Sequence, residues 1–180
     1  MKKIKLMLTA LLALLMTFTG MPVASAATTY TLSLTGTTTG HTYEAYQIFS
    51  GDLSGDTLSN IQWGSGVDAT AAKAALGEAA TKAEALNGKS NDAADAKAFA
   101  QAVSAYLKST PTKTVQSASG TTTFTGLEAG YYLIKDKTAS LAGKEDESYT
   151  RFILQVVKDT TATVKASVPT FVKEVKDNAT

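Results

Sequence analysis

The chain has 180 residues, no cysteine, one histidine (His41) and a formal net charge of +1. The lack of cysteine excludes disulfides, thiolate metal sites and a thiol nucleophile, and a single imidazole argues against a His-based metal cluster or a Ser-His-Asp triad. The near-neutral, mixed charge predicts neither nucleic-acid binding nor a lipid-surface patch. We therefore expect no metal, no cofactor and no catalytic residues.

Residues 1–26 have the pattern of a secretory signal peptide. Three lysines lie within the first five residues, an apolar run covers residues 6–19, and the small residues Ala24-Ser25-Ala26 precede the expected cleavage between Ala26 and Ala27. A membrane anchor is the weaker alternative, because the run is short for a bilayer span and a cleavage site follows it. Cleavage leaves 154 residues, the length of one domain. Three of the 17 basic residues lie in this leader, so 14 basic residues remain against 16 acidic ones, a charge of −2.

The first part of the exported chain predicts two strands and a turn-rich stretch. Residues 30–34 (YTLSL) alternate apolar and polar side chains, and residues 42–49 (TYEAYQIF) form a second strand after a glycine-bounded turn. Alternation places Tyr43, Ala45 and Gln47 on one face of this strand and Tyr46 and Ile48 on the other. Residues 51–66 are rich in turn residues and contain the single tryptophan, Trp63. We interpret Trp63 as a plug at one end of the core, with a surface platform for a ligand as the alternative.

The middle of the chain predicts two helices. Residues 68–86 are rich in alanine, begin at a capping Asp68 and end before an Asn-Gly pair. The second helix is capped by Asn91 or Asp92 and ends before Pro111. The first helix has few large apolar residues and is expected on the surface, whereas the second is expected to dock a stripe of Phe99, Val103 and Leu107 on the sheet.

The last part returns to strands, at residues 121–125, 131–136 (YYLIKD), 149–158 (YTRFILQVVK) and 161–165. A glycine-containing turn covers residues 126–130 and a charged loop covers residues 141–148. The strand at 149–158 is the most apolar and is expected to be central. Strands, helices and strands again, with short turns, predict a mainly β (α+β) fold: an immunoglobulin-like antiparallel β-sandwich with a two-helix insertion.

A domain boundary is expected near Pro169. The domain then covers residues 27–168, and residues 169–180 are a linker and the first strand of a following domain, because residues 171–177 (FVKEVKD) alternate again. A frayed last strand of the same domain is the alternative.

Four segments, in this order behind a signal peptide, resemble the N-terminal domain of the Gram-positive isopeptide-forming fimbrial proteins, the sortase-assembled backbone pilins. They are HTYEAYQIFSGDLSG (41–55), LSNIQWGSGV (58–67), GLEAGYYLIKD (126–136) and VPTFVKEVKD (168–177). The resemblance implies a cell-wall pilus (fimbrium) subunit with immunoglobulin-like domains. It implies that a sortase joins the threonine of a C-terminal Leu-Pro-x-Thr-Gly motif to a lysine of the next subunit. That motif is absent here, so we expect a fragment of a longer protein or a truncated gene product.

The resemblance also implies lysine chemistry. Such domains carry internal Lys-Asn or Lys-Asp isopeptide bonds, promoted by a buried carboxylate. Asp136 stands at the carboxylate position of the Gly-x-Tyr-x-Leu-x-Glu box, but no lysine occurs between Lys5 and Lys73. We therefore predict no internal bond and interpret Asp136 as a strand-end surface carboxylate in a degenerate box.

Two lysines near the chain end are the candidates for cross-links with neighbours. Lys165 stands near the family's Val-x-Val-Tyr-Pro-Lys motif, without the Tyr-Pro pair, and is the candidate sortase acceptor. Lys173 matches the lysine that opens the following domain in the family, where it forms that domain's isopeptide bond.

Two other functions compete with the structural one. An adhesin domain would bind a host glycan or matrix protein through aromatic contacts, with Tyr43, Tyr46 and Trp63 exposed together over a groove. A secreted hydrolase would need paired carboxylates, for which the candidates are Asp52 with Asp56 and Glu145 with Asp146. Acids in such loops are usually plain surface or a weak calcium site.

Overall fold

The computed structural model describes residues 27–143 and 149–164. Several predictions fall outside these residues: the leader with Ala26, the acids Glu145 and Asp146, the boundary at Pro169, and the lysines Lys165 and Lys173. They remain predictions.

The described residues form two β-sheets that pack face to face. One sheet has the strand order β5-β1-β8, and the other has the order β3-β2-β6-β7 with β4 beside β2. The strands are β1 (Thr29–Thr35), β2 (Thr42–Ser54), β3 (Thr57–Trp63), β4 (Lys113–Gln116), β5 (Thr121–Glu128), β6 (Gly130–Asp136), β7 (Arg151–Val156) and β8 (Thr160–Thr163). This mostly β, two-sheet architecture agrees with the predicted sandwich.

The larger sheet is buried on both faces. Tyr43 and Ala45 of β2 belong to the core between the sheets, while Tyr46 and Ile48 belong to a second core beneath the helices. The predicted division of β2 is therefore confirmed for these four residues. Phe49 faces the helices together with its neighbour Ile48, because a bulge in the β2–β6 pairing interrupts the alternation.

Three helices between β3 and β4 cover the larger sheet: α1 (Ala69–Leu76), α2 (Ala79–Leu86) and α3 (Ala94–Val103). The single helix predicted over residues 68–86 is wrong, because it breaks at Gly77, whose φ of 94° ends the first segment. Asp68 caps α1 as predicted, its side chain accepting from the Ala71 amide at 3.0 Å. α1 buries only Ala72 and lies on the surface, whereas α2 docks on the sheet through three buried residues, Ala79, Ala83 and Leu86.

The helix α3 docks on the sheet, though not by the whole predicted stripe. Val103 is buried, and the Phe99 ring packs 5.7 Å from that of Phe49. Leu107 lies beyond the end of the helix, where it packs against the same core and pairs with Val67 in an isolated β-bridge. The cap position is Ala93, which forms no side-chain cap, so the prediction of Asn91 or Asp92 as the cap is wrong.

Three predictions about strands are also corrected. Residues 51–66 are mainly a hairpin, since β2 runs on to Ser54 and β3 returns from Thr57 after Gly55 at φ 59°. The strand β4 was not predicted. The strand β7 is not central, because in the described part of the chain it pairs only with β6. Its apolar sequence reflects burial on two faces, with Phe152 in the core between the sheets and Ile153 beneath the helices.

The opening and closing strands are neighbours, and they run parallel. β1 pairs antiparallel with β5 on one side and parallel with β8 on the other, from Leu32 opposite Thr160 to Thr35 opposite Thr163. The expectation of an entirely antiparallel sandwich is therefore wrong for this pair. Because the two strands are parallel, the chain enters the smaller sheet at one end and leaves it at the other.

Candidate functional site

Asp136 lies inside the sandwich and not on its surface. The side chains of Tyr132 and Ile134 are fully buried in the core between the sheets, and the period of two in a strand places residue 136 on the same face. Asp136 is 0% exposed. The interpretation as a surface carboxylate is therefore wrong, and alternation along β6 was the signal that could have corrected it.

The buried carboxylate joins three separate segments. Its Oδ1 lies 2.8 Å from Nδ1 of His41, in the loop before β2, and its Oδ2 accepts from the Thr150 amide at 2.6 Å, just before β7. Because a carboxylate accepts, we assign the imidazole proton to Nδ1. His41 is 2% exposed and stacks on Tyr43 with ring centroids 5.9 Å apart. Asp136 thus ties the start of β2, the end of β6 and the start of β7 at one end of the sandwich.

Among the described residues, no buried amine is available for this carboxylate to activate. The inward residues of the opening strand are Leu32 and Leu34, and Val164 beyond β8 is buried with them. No lysine is among the buried residues of the described chain. The absence of an internal isopeptide bond stays a prediction. Within the same residues, no group of three or more His, Asp or Glu side chains could hold a metal ion.

A second polar cluster lies on the opposite face of the same sheet. Glu44 of β2 and Lys135 of β6 are opposite each other in register, and Nζ of Lys135 lies 2.7 Å from Oε2 of Glu44. The Tyr46 hydroxyl donates to the same oxygen at 3.1 Å. Burial, reinforced by the Glu44 charge, raises the pKa of Tyr46 to about 12. This arrangement is a hydrogen-bonded ion pair within the sheet.

The aromatic residues proposed as adhesin contacts do not come together. Tyr43 and Tyr46 are 1% and 4% exposed and belong to different cores. Trp63 packs on the helix-side core, 5.0 Å from the Phe49 ring, and its indole donates to the Gly77 carbonyl at 3.3 Å. These contacts are those of a core plug.

The paired carboxylates proposed for a hydrolase have separate partners. Asp52 accepts from the Asn60 side chain at 2.7 Å, and Asp56 pairs with Lys158 at 2.5 Å. Glu145 and Asp146 lie outside the described residues.

Sequence reasoning missed His41 and Thr150 as partners of Asp136. His41 stands 95 residues before Asp136 in the chain, and no local pattern relates the two.

The fold is similar to that of a backbone pilin. The T6 backbone pilin of serotype M6 Streptococcus pyogenes, described as a modular three-domain structure with variable loops and extensions, aligns with a TM-score of 0.50 and 21% sequence identity. The alignment covers 80% of this chain and 29% of the pilin, so the chain spans under a third of that protein's length. No protein-family model and no curated protein sequence matches the chain. At this identity the likeness shows a pilin-like fold.

Among the helices in the described ranges, none has the length and apolar character needed to cross a bilayer.

Proposed function

We propose that this chain is a structural, non-enzymatic domain of a cell-surface pilus subunit, exported from a Gram-positive bacterium and joined to neighbouring subunits by a sortase. The pilin-like fold supports the assignment to a pilus. We also propose that the domain has an immunoglobulin-like strand arrangement with a helical insertion, and that it is the N-terminal domain of a longer pilin.

The observation that carries the proposal is the parallel pairing of β1 and β8. A force applied through the two chain ends acts along these strands in opposite directions, since the chain enters at one end of the pair and leaves at the other. The hydrogen bonds between the strands are then loaded together in shear, instead of one after another. Such a ladder resists tension, which is the load on a subunit within a fibre.

The ladder extends past β8. The Val164 amide donates to the Thr35 carbonyl at 2.9 Å, and the Val164 side chain is 3% exposed. Lys165 follows directly, so a sortase bond at this residue would apply its load next to the ladder. Lys165 is therefore the proposed acceptor, and Lys173 is the proposed isopeptide lysine of a following domain.

Single-molecule force spectroscopy with end-to-end pulling tests the mechanical role. Val164→Pro removes the amide donor and the side-chain packing, whereas the matched Val164→Ala removes packing alone. We expect a clearly lower unfolding force for the proline variant than for the alanine variant. Equal forces in the two variants would show that the ladder carries no load.

Mass spectrometry of assembled pili tests the linkage. Cross-linked peptides are expected to contain Lys165, and Lys165→Arg is expected to abolish polymerisation without loss of the secreted monomer. Polymer formed by the arginine variant, or cross-linked peptides that all lack Lys165, would refute the acceptor assignment.

A further inference from the structure

Tyr131 is a buried residue whose hydroxyl has no partner within the described chain. The residue lies on the helix-side face of β6, is 5% exposed, and packs edge-on against Phe49 with ring centroids 5.7 Å apart. Its hydroxyl forms no hydrogen bond with any described residue, and burial raises its pKa. Buried polar groups are nearly always hydrogen-bonded to protein or to water, so this hydroxyl has room for a partner from outside the described chain, either a water molecule or a ligand hydroxyl.

Two cavities flank Tyr131, and the C-terminal end of α2 contributes to both. A cavity of about 410 Å³ is lined by Leu86, Ser90 and Ile153, among others, and one of about 280 Å³ by Glu84 and Asn87. Both cavities include Tyr131 and Gln155. Tyr131 therefore lines two neighbouring cavities.

The lining side chains can form hydrogen bonds with a ligand that carries no net charge. The two charges Asp56 and Lys89 are already neutralised by Lys158 and Asp95, respectively. Five further polar side chains have no hydrogen bond or ion pair with the described residues: Thr57, Glu84, Asn87, Ser90 and Gln155. An amide both donates and accepts, a carboxylate accepts, and a hydroxyl does either, so this set suits a ligand with several hydroxyl groups.

We propose that the paired cavities around Tyr131 bind a neutral saccharide. A sugar hydroxyl pairs with the Tyr131 hydroxyl, the amides of Asn87 and Gln155 bind neighbouring hydroxyls, and the apolar wall of Leu86 and Ile153 contacts a ring face. An anionic ligand fits less well, because the described lining holds an unpaired carboxylate, Glu84, and no unpaired cation. This site shares no residue with the aromatic trio considered for an adhesin and does not depend on the pilus role.

Saccharides with this chemistry occur in bacterial cell walls and on host surfaces, so the experiment has two arms. Amide chemical shifts of the ¹⁵N-labelled protein are followed during titration with N,N′-diacetylchitobiose, as a cell-wall-type sugar, and with lactose, as a host-type sugar. Glycerol at equal concentration is the control for nonspecific polyol effects. The titrations are repeated with Tyr131→Phe, which keeps the packing ring, and with Tyr106→Phe, whose residue lines neither cavity.

At least one disaccharide is expected to give saturable shifts confined to residues 84–90, 131 and 153–155. Losing one neutral hydrogen bond should weaken binding about three- to ten-fold in Tyr131→Phe and leave Tyr106→Phe unchanged. Gln155→Ala is a second variant with the same expected direction, should Tyr131→Phe fold poorly.

Several results would overturn the proposal: no saturation with either sugar, shifts that map elsewhere, equal shifts with glycerol, or unchanged binding in both site variants. The pilus role is read separately, because polymerisation through Lys165 does not involve these cavities.

Discussion

Replacing Asp136 by alanine should destabilise the domain strongly, although the residue contributes no catalysis. The carboxylate accepts from Nδ1 of His41 and from the Thr150 amide, and all three groups are nearly inaccessible to water. Alanine removes the acceptor that both buried donors share. Each unsatisfied donor costs about 1–3 kcal/mol, so the free energy of unfolding should fall by about 2–6 kcal/mol.

The loss is large compared with the total stability of a domain, which is about 5–15 kcal/mol. For a domain of this size it corresponds to a fall in Tm of about 6–18 °C. Asp136→Asn retains one acceptor oxygen but turns its amide group towards the other donor, so an intermediate loss of about 1–3 kcal/mol is expected.

Urea unfolding followed by circular dichroism, at constant pH and protein concentration, measures these losses. Asp52→Ala is the matched control, because Asp52 is an exposed carboxylate with one side-chain hydrogen bond to Asn60, and it should change stability by under about 0.5 kcal/mol. A double-mutant cycle of Asp136→Ala with His41→Ala should give a coupling energy of about 1–3 kcal/mol. Equal losses for the Asp136 and Asp52 variants, or no coupling to His41, would refute the conclusion that Asp136 ties the three segments together.

Three further expectations follow from the packing and the charges. Gly66→Ala should cost about 2–4 kcal/mol in urea unfolding, because its Cβ would lie 2.7 Å from a β2 backbone nitrogen. The control Gly120→Ala has open space around the new Cβ and should be neutral or slightly stabilising. Equal effects of the two substitutions would contradict the close approach at Gly66. Lys135→Met should cost about 2–4 kcal/mol, because it leaves the buried Glu44 carboxylate without its cation. Adding Glu44→Gln should recover most of this loss. A double variant no more stable than Lys135→Met would argue against the ion pair. The pKa of Tyr46 is raised to about 12 from 10.0, so the unfolded chain loses this proton first and stability should fall between pH 10 and 12; an identical pH slope in Tyr46→Phe would count against this.

Much of the local structure is readable from the sequence because it follows from short-range pattern. Alternation assigned Tyr43 and Ala45 to one face of β2 and Tyr46 and Ile48 to the other, and Asp68 was recognised as a helix cap. Gly77 was inside a segment of strong helix formers, and its break depends on a single positive φ that propensity alone does not reveal.

Short-range sequence pattern does not determine whether a strand is central or at the edge of its sheet. An apolar strand such as β7 has the same pattern whether it is central or at an edge, provided both faces are covered, and here the helices and the second sheet cover them. The short, polar β4 carries no pattern of its own and is a strand because β2 pairs with it.

The sequence by itself determined most of the local strands, the faces of β2 from Tyr43 to Ile48 and the absence of thiol chemistry, because these depend on residue type and on neighbours a few positions away. Only the tertiary structure decided that β1 lies parallel to β8, that His41 meets Asp136, and that Tyr131 lines two cavities. Each of these depends on residues far apart in the chain being brought together, and a local periodicity holds no information about which distant segment becomes the partner.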